Sequence, residues 1–207
     1  MGRRLLLVTL LLLTTFGAWA DEAAANREAV EAGVHGKFPN CKLGTVHTKG
    51  LWAIALTRDA NDQRQHLLHS FENRWEVVVS APAIAPATLS LYGVPPKAWE
   101  SLLGRPLTAA ELAEAKRCAN SRIWSWTSER EVTDEDCAGR SVWELLLMRN
   151  EILASHGRSF VDPELDSYFR SRGWYTPKAD YDAATLNQIE SDNAEYILYY
   201  LLSQRHF

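Results

Sequence analysis

The sequence predicts an α+β fold, with a short N-terminal helix and an antiparallel meander sheet followed by a small helical region. Three observations carry this. Between Val46 and Ser80 apolar and polar residues alternate in stretches, the period of half-buried strands. Thr108-Ala-Ala-Glu111 and Ser141-Val-Trp-Glu144 are capping boxes that open helices further on. Between the two regimes, Pro82, Pro86, Pro95, Pro96 and Gly104 punctuate the chain.

Residues 1–20 have the three parts of a cleavable export signal. Arg3 and Arg4 supply a positive start, Leu5–Leu13 is an apolar run, and Ala18-Trp19-Ala20 offers small residues before acidic Asp21 and Glu22. The run is shorter than the roughly 20 residues that a membrane span needs. Cleavage is therefore expected after Ala20, leaving no stable membrane span, and the mature protein is expected to be periplasmic or extracellular.

Cleavage shortens the chain from 207 to 187 residues. It also removes Arg3 and Arg4 from 22 basic residues set against 26 acidic ones, so the mature charge is −6. A negative body with no basic stripe is unsuited to nucleic acid. Of the eight Trp, all but Trp19 remain, and core packing is their expected role. Cys41, Cys118 and Cys137 also remain. In an oxidising compartment Cys118 and Cys137 are the expected disulfide pair, closing a loop of about 20 residues.

The elements follow in order. A helix is expected from Asn26 to about His35, ended by Gly33 and Gly36. One strand is expected over Val46–Leu56, a turn at Asp59–Asp62, a strand at Gln65–Phe71, a tight turn at Glu72-Asn73-Arg74 and a strand at Trp75–Ser80. Pro82 and Pro86 stop the sheet. Pro95-Pro96 opens a short helix from Lys97 to Leu103, closed by Gly104. This α+β part, residues 21–105, has a cystatin-like or NTF2-like outline. Residues 106–127 form a linker with a helix at about Ala109–Cys118. Residues 128–207 are expected to be all-α with three helices: Val142 to about Ser155 stopped by Gly157, Glu164–Arg170 behind Asp162-Pro163 and ended by Gly173, and a last helix starting near Asp182. Asn193 falls on the apolar face of that helix, so a buried, hydrogen-bonded asparagine is expected.

Arg149-Asn150-Glu151-Ile152, Leu153-Ala154-Ser155-His156-Gly157-Arg158, Phe160, Asp162-Pro163-Glu164-Leu165, Tyr168-Phe169 and Trp174-Tyr175 follow one another in an order and spacing that resemble the YARHG domain family. Val132-Thr133-Asp134-Glu135-Asp136 and Asn193 extend the resemblance to about residues 128–197. It implies a bacterial extracytoplasmic module with no settled activity. Leu153 and Ser155 stand here in place of the eponymous Tyr and Arg, which removes a hydroxyl and a charge.

The densest polar cluster is Arg149, Asn150, Glu151, His156, Gly157 and Arg158, with Trp174 and Tyr175 nearby. Two readings stand side by side. Arg grips a carboxylate bidentately and a histidine at 156 can donate or accept a hydrogen bond, which suits a ligand site for an anionic or sugar-peptide group. Equally, Asn150 and His156 would cap backbone carbonyls while Glu151 pairs with an Arg. His66 and His69, three apart on a strand, point to opposite faces, so no joint metal site is expected. No nucleophile elbow, P-loop or dinucleotide fingerprint occurs, and no cofactor is expected. The expectation is a non-enzymatic envelope protein that binds or docks to a cell-envelope component or envelope protein. The alternative is an envelope hydrolase using His156 with Glu151 or a nearby acid.

Overall fold

The computed structural model describes residues 26–59 and 62–204. The export-signal reading of residues 1–20, with cleavage after Ala20, lies outside them.

A helix over residues 26–37 (α1) leads into four antiparallel strands in sequential order. They are β1 (Lys42–Lys49), β2 (Trp52–Arg58), β3 (Gln63–Phe71) and β4 (Arg74–Ala81). The expected single strand over Val46–Leu56 is instead a hairpin. Gly50, at φ +60°, turns the chain so that Lys49 pairs with Trp52 and Val46 with Ala55. The β3–β4 turn puts Glu72 and Asn73 at positive φ, as a two-residue hairpin turn of this twist requires.

Period-2 alternation gives the sheet two buried faces. Ala53, Ala55, Leu68 and Val77 face α1 and pack with its Val30 and Val34. Trp52, Ile54 and Leu67 face the other way. A bulge in β4, opposite Leu67 and Leu68, sets the extra residue Val78 on that second face. His66 and His69 take opposite faces, as their spacing predicts. His66 bridges Thr57 Oγ1 (2.7 Å) and Ser80 Oγ (2.7 Å), while His69 Nε2 reaches Glu164 Oε1 (2.7 Å).

Helix α1 runs through Gly33 to residue 37 rather than ending there. Gly33 is the point of closest approach to the sheet, where an added Cβ would strike the Trp75 backbone carbonyl. Elsewhere in a helix, Gly→Ala gains about 1 kcal/mol. Here Gly33→Ala is expected to cost about 1–3 kcal/mol through overpacking. Urea denaturation checks the sign, and a stabilised variant would mean that α1 is free to lift.

The remaining helices cover the second face. They are α2 (Pro86–Tyr92), α3 (Trp99–Leu103), α4 (Ala109–Cys118), α5 (Asp134–Cys137), α6 (Val142–Ser155), α7 (Pro163–Arg170) and α8 (Gln188–Gln204). Pro86 initiates α2 as its first-turn residue rather than only closing the sheet. The Pro95-Pro96 region begins with a 3₁₀ turn, Pro96–Ala98, before α3, which Gly104 stops in the left-handed conformation. The expected helix start at Asp182 is a 3₁₀ turn, Ala183–Thr185, capped by Asp182; α8 begins only at Gln188. Helix α7 caps at Ser171, and Gly173 lies beyond its end against Asn120.

One core joins the sheet to these helices. Trp52, Ile54 and Leu67 share it with Leu89, Trp99, Trp124, Trp143, Leu147, Phe169 and Ile197. Every Trp from Trp52 onward is buried or packed against a core, which fits the expected packing role.

The Cys118–Cys137 disulfide is absent: Cys41, Cys118 and Cys137 are free thiols. The two cysteines end helices that pack on different neighbours. Helix α4 lies along α2, and Cys118 donates to Glu114 (3.6 Å) one turn back. Cys137 is fully buried on the side of Tyr196 and Tyr200, and burial pushes its thiol up to about 11.

Candidate functional site

Helix α6 carries Arg149, Asn150 and Glu151 of the predicted site, and His156, Gly157 and Arg158 follow directly at its end. Ser141 and Glu144 close the expected capping box, and the Val142 N–H donates to Glu76 Oε2 (2.7 Å), which ties the helix start to β4. At the other end the chain leaves through a Schellman motif. The Gly157 N–H donates to the Ala154 carbonyl (2.9 Å) and the Arg158 N–H to that of Leu153 (3.2 Å). Gly157 is at φ +94°, and the Lys178 N–H donates to its carbonyl (2.8 Å). A Cβ there would sit 2.6 Å from Lys178 Cγ, so only glycine admits this crossing.

This geometry divides the predicted residues into two sets. Asn150, Glu151, Trp174 and Tyr175 turn inward. Asn150 donates to the Leu146 carbonyl (2.8 Å). Glu151, 1% exposed, accepts the backbone N–H groups of Ile123 (2.9 Å) and Trp124 (2.8 Å). Arg122 Nε is 3.4 Å from the same carboxylate, an ionic contact without hydrogen-bond geometry. Burial pushes the Glu151 carboxyl up against the pull of the two N–H groups and Arg122. Glu151 does pair with an arginine, but in the interior, with the start of the Ser125–Ser128 turn as its main partner. Trp174 and Tyr175 join Phe160 and Phe169 in an aromatic cluster. The Tyr175 hydroxyl donates to the Arg158 carbonyl (2.8 Å) and so pins the loop from below.

Arg149, His156 and Arg158 instead follow the seam between α6 and the first half of α8. Arg149 Nε donates to the Ala194 carbonyl (3.0 Å). His156 Nε2 lies 2.9 Å from Glu190 Oε2, with Thr185 Oγ1 3.3 Å from its Nδ1. Glu190 also completes a capping box with Asn187: each side chain accepts the other's backbone N–H. Burial pushes the Glu190 carboxyl up, but Asn187, Ser128 and His156 outweigh it and hold the group below its ordinary range. Arg149 is lowered first by burial and then by the charge of Arg158. Two guanidiniums therefore lie within each other's field. Neighbouring arginines pair with acids, as in Arg130–Asp136, Arg140–Glu144 and Arg170–Asp166. Among the described residues Arg149 and Arg158 have no carboxylate partner. Arginine keeps its charge at neutral pH even when burial disfavours it.

Glu190, Thr185 and the nearby Tyr181 complete this seam and were not among the predicted residues. The spacing Asn187-x-x-Glu190 marks a helix start, but its meeting with His156 depends on how α8 crosses α6. Asn193, by contrast, sits as expected. It is buried, accepts the Val132 N–H (2.7 Å) and donates to the Thr127 and Arg130 carbonyls (2.8 Å each). Cavities of about 450 and 490 Å³ lie elsewhere, the first between α1, β4 and the start of α6, the second between the β1–β2 turn and α7. None of the predicted site residues lines either.

Residues 120–200 match the YARHG domain, a module of extracytoplasmic proteins whose function is not established. The match covers the 3₁₀ turn Ser125–Ser128, helices α5 to α7 and most of α8, and so contains the whole seam. No curated protein and no solved structure matches the chain. Among the described residues no helix is long and apolar enough to cross a membrane.

Proposed function

We propose that this chain, with its YARHG domain at residues 120–200, is a non-enzymatic protein of the bacterial envelope that docks an anionic envelope component at the α6–α8 seam. What supports this is Arg149 and Arg158 at the end of α6, two cations that act on one another and have no carboxylate within ion-pair distance among the described residues. Like charges held together cost free energy, which an incoming carboxylate set beside both recovers. Carboxylates of wall peptides are the partner chemistry that suits such a pair.

The residues next to the pair favour docking over turnover. Both ring nitrogens of His156 have neighbours, Glu190 and Thr185, and the Glu190 carboxylate is also committed to the α8 cap. A general base in that position would have to break the cap to act.

The test is co-sedimentation of the mature protein with bacterial wall sacculi, comparing wild type, Arg149→Ala/Arg158→Ala and His156→Ala. The supernatants are analysed by mass spectrometry. Each charge-assisted contact is worth about 1.5–3 kcal/mol, so the double variant is expected to bind at least about 100-fold more weakly. Retained binding by the double variant would remove the seam as the docking site. Wall fragments released by wild type but not by His156→Ala would replace docking with hydrolysis.

A further inference from the structure

Arg172, just beyond α7 and outside the seam, is 4% exposed and has no acidic partner within salt-bridge distance among the described residues. Its Nη2 donates to the Ser90 carbonyl (2.7 Å) and to Ser171 Oγ (2.9 Å), and its Nε lies 3.2 Å from the same hydroxyl. The guanidinium stacks 4.4 Å from the Tyr168 ring centre. Nη1 is buried and has no hydrogen-bond partner. A buried charged group in this condition is costly, because each unmade bond forfeits the solvation it had in water. Glu151 acts on it only at a distance, and burial as the larger influence lowers the Arg172 pKa.

Arg172 lines a cavity of about 230 Å³ between α2, α4 and α7. The rest of the lining has two characters. Ser167 and Lys116 offer a hydroxyl and a second cation, the Ser90 and Ser171 hydroxyls being committed to the Ala115 and Tyr168 carbonyls, while Pro95, Pro96 and Trp99 form an apolar wall. No Asp or Glu lines it. An apolar cavity of roughly 150 Å³ accepts benzene, so this one has room for a ring-sized body with a charged head.

We infer that this cavity is a binding site for a small apolar carboxylate, with Arg172 and Lys116 receiving the anion and Pro95, Pro96 and Trp99 holding the body. A carboxylate there brings negative charge to a lining that holds Arg172 and Lys116 and no acid. The site is distinct from the Arg149–Arg158 seam and stands or falls independently of it.

The test is NMR titration of the mature protein with benzoate and with its neutral isostere benzamide. The reporters are the Arg172 Nε–H, the Trp99 indole N–H, and the Arg149 and Arg158 Nε–H signals. Benzoate is expected to give saturable shifts at Arg172 and Trp99, and benzamide to bind about tenfold more weakly, the loss of one charge-assisted bond. Lys116→Ala, at an exposed position that leaves the fold intact, is expected to weaken benzoate several-fold. Arg172→Lys is expected to abolish saturation, since it keeps the charge and loses the fork. If Arg172→Lys fails to fold, Lys116→Ala decides. The inference is overturned by an absence of saturable shift up to about 20 mM, well above the millimolar Kd open to a fragment. Equal binding of benzamide, or shifts confined to Arg149 and Arg158, would overturn it as well.

Discussion

Glu151→Ala is expected to destabilise the protein by about 3–5 kcal/mol, the range for removing one partner of a buried, hydrogen-bonded ion pair. The carboxylate satisfies two consecutive backbone donors, those of Ile123 and Trp124, and is the ionic partner of Arg122. Alanine would leave all three inside the fold, between α4 and the 3₁₀ turn that carries Trp124 and Trp126. Water entry would satisfy the donors only by parting Trp124 from the core that it occupies. The urea midpoint reads the effect, and a loss below about 1 kcal/mol would show that this segment detaches freely.

The same variant carries a pH signature. Burial raises the Glu151 carboxyl, so the folded protein holds that proton more tightly than the unfolded chain, where Glu titrates near about 4.3. The group's contribution is full below the unfolded value and declines as pH rises through the folded one. The wild-type advantage over Glu151→Ala is therefore expected to be greater at about pH 5 than at about pH 7.5. An unchanged difference would mean that the N–H groups and Arg122 fully offset the burial.

What the sequence disclosed depended on how local each signal was. The capping boxes at Thr108–Glu111 and Ser141–Glu144, the Gly157 stop and the buried Asn193 are decided within a turn or two of chain, and all were legible. The β1–β2 hairpin was not, because alternation continues across Gly50-Leu51 and hides the turn. Gly33 misled for a related reason. A glycine that ends a helix and one that lets a helix approach a strand look alike until Trp75 is placed beside it. Cys118 and Cys137 are close in sequence, but helices α4 and α5 direct them to different neighbours. The seam itself needed the crossing of α6 and α8, which brings Glu190 to a histidine 34 positions earlier. Arg172 gave no local signal, since its neighbours come from α2 and α7 and only their packing makes it a buried cation.

Trp143→Ala is expected to cost about 3–5 kcal/mol, the usual range for truncating a large buried aromatic. Its ring stacks on His69 of β3 at 4.5 Å and meets Trp52 of β2 and Tyr168 of α7 edge-on at 6.1 and 6.2 Å. Its indole N–H donates to the Tyr92 carbonyl at the end of α2 (2.9 Å). One side chain thus touches the sheet, the helices that follow it and the YARHG region. Trp143→Phe keeps most of the ring contact and loses the hydrogen bond, so its expected cost is smaller, about 1–2 kcal/mol. Because a single core runs through these contacts, unfolding of the alanine variant is expected to remain one transition, with far-UV circular dichroism and Trp fluorescence moving together. Two separated transitions, with only one displaced by the substitution, would show instead that the sheet and the helical region hold their structures independently and that Trp143 serves only as a contact between them.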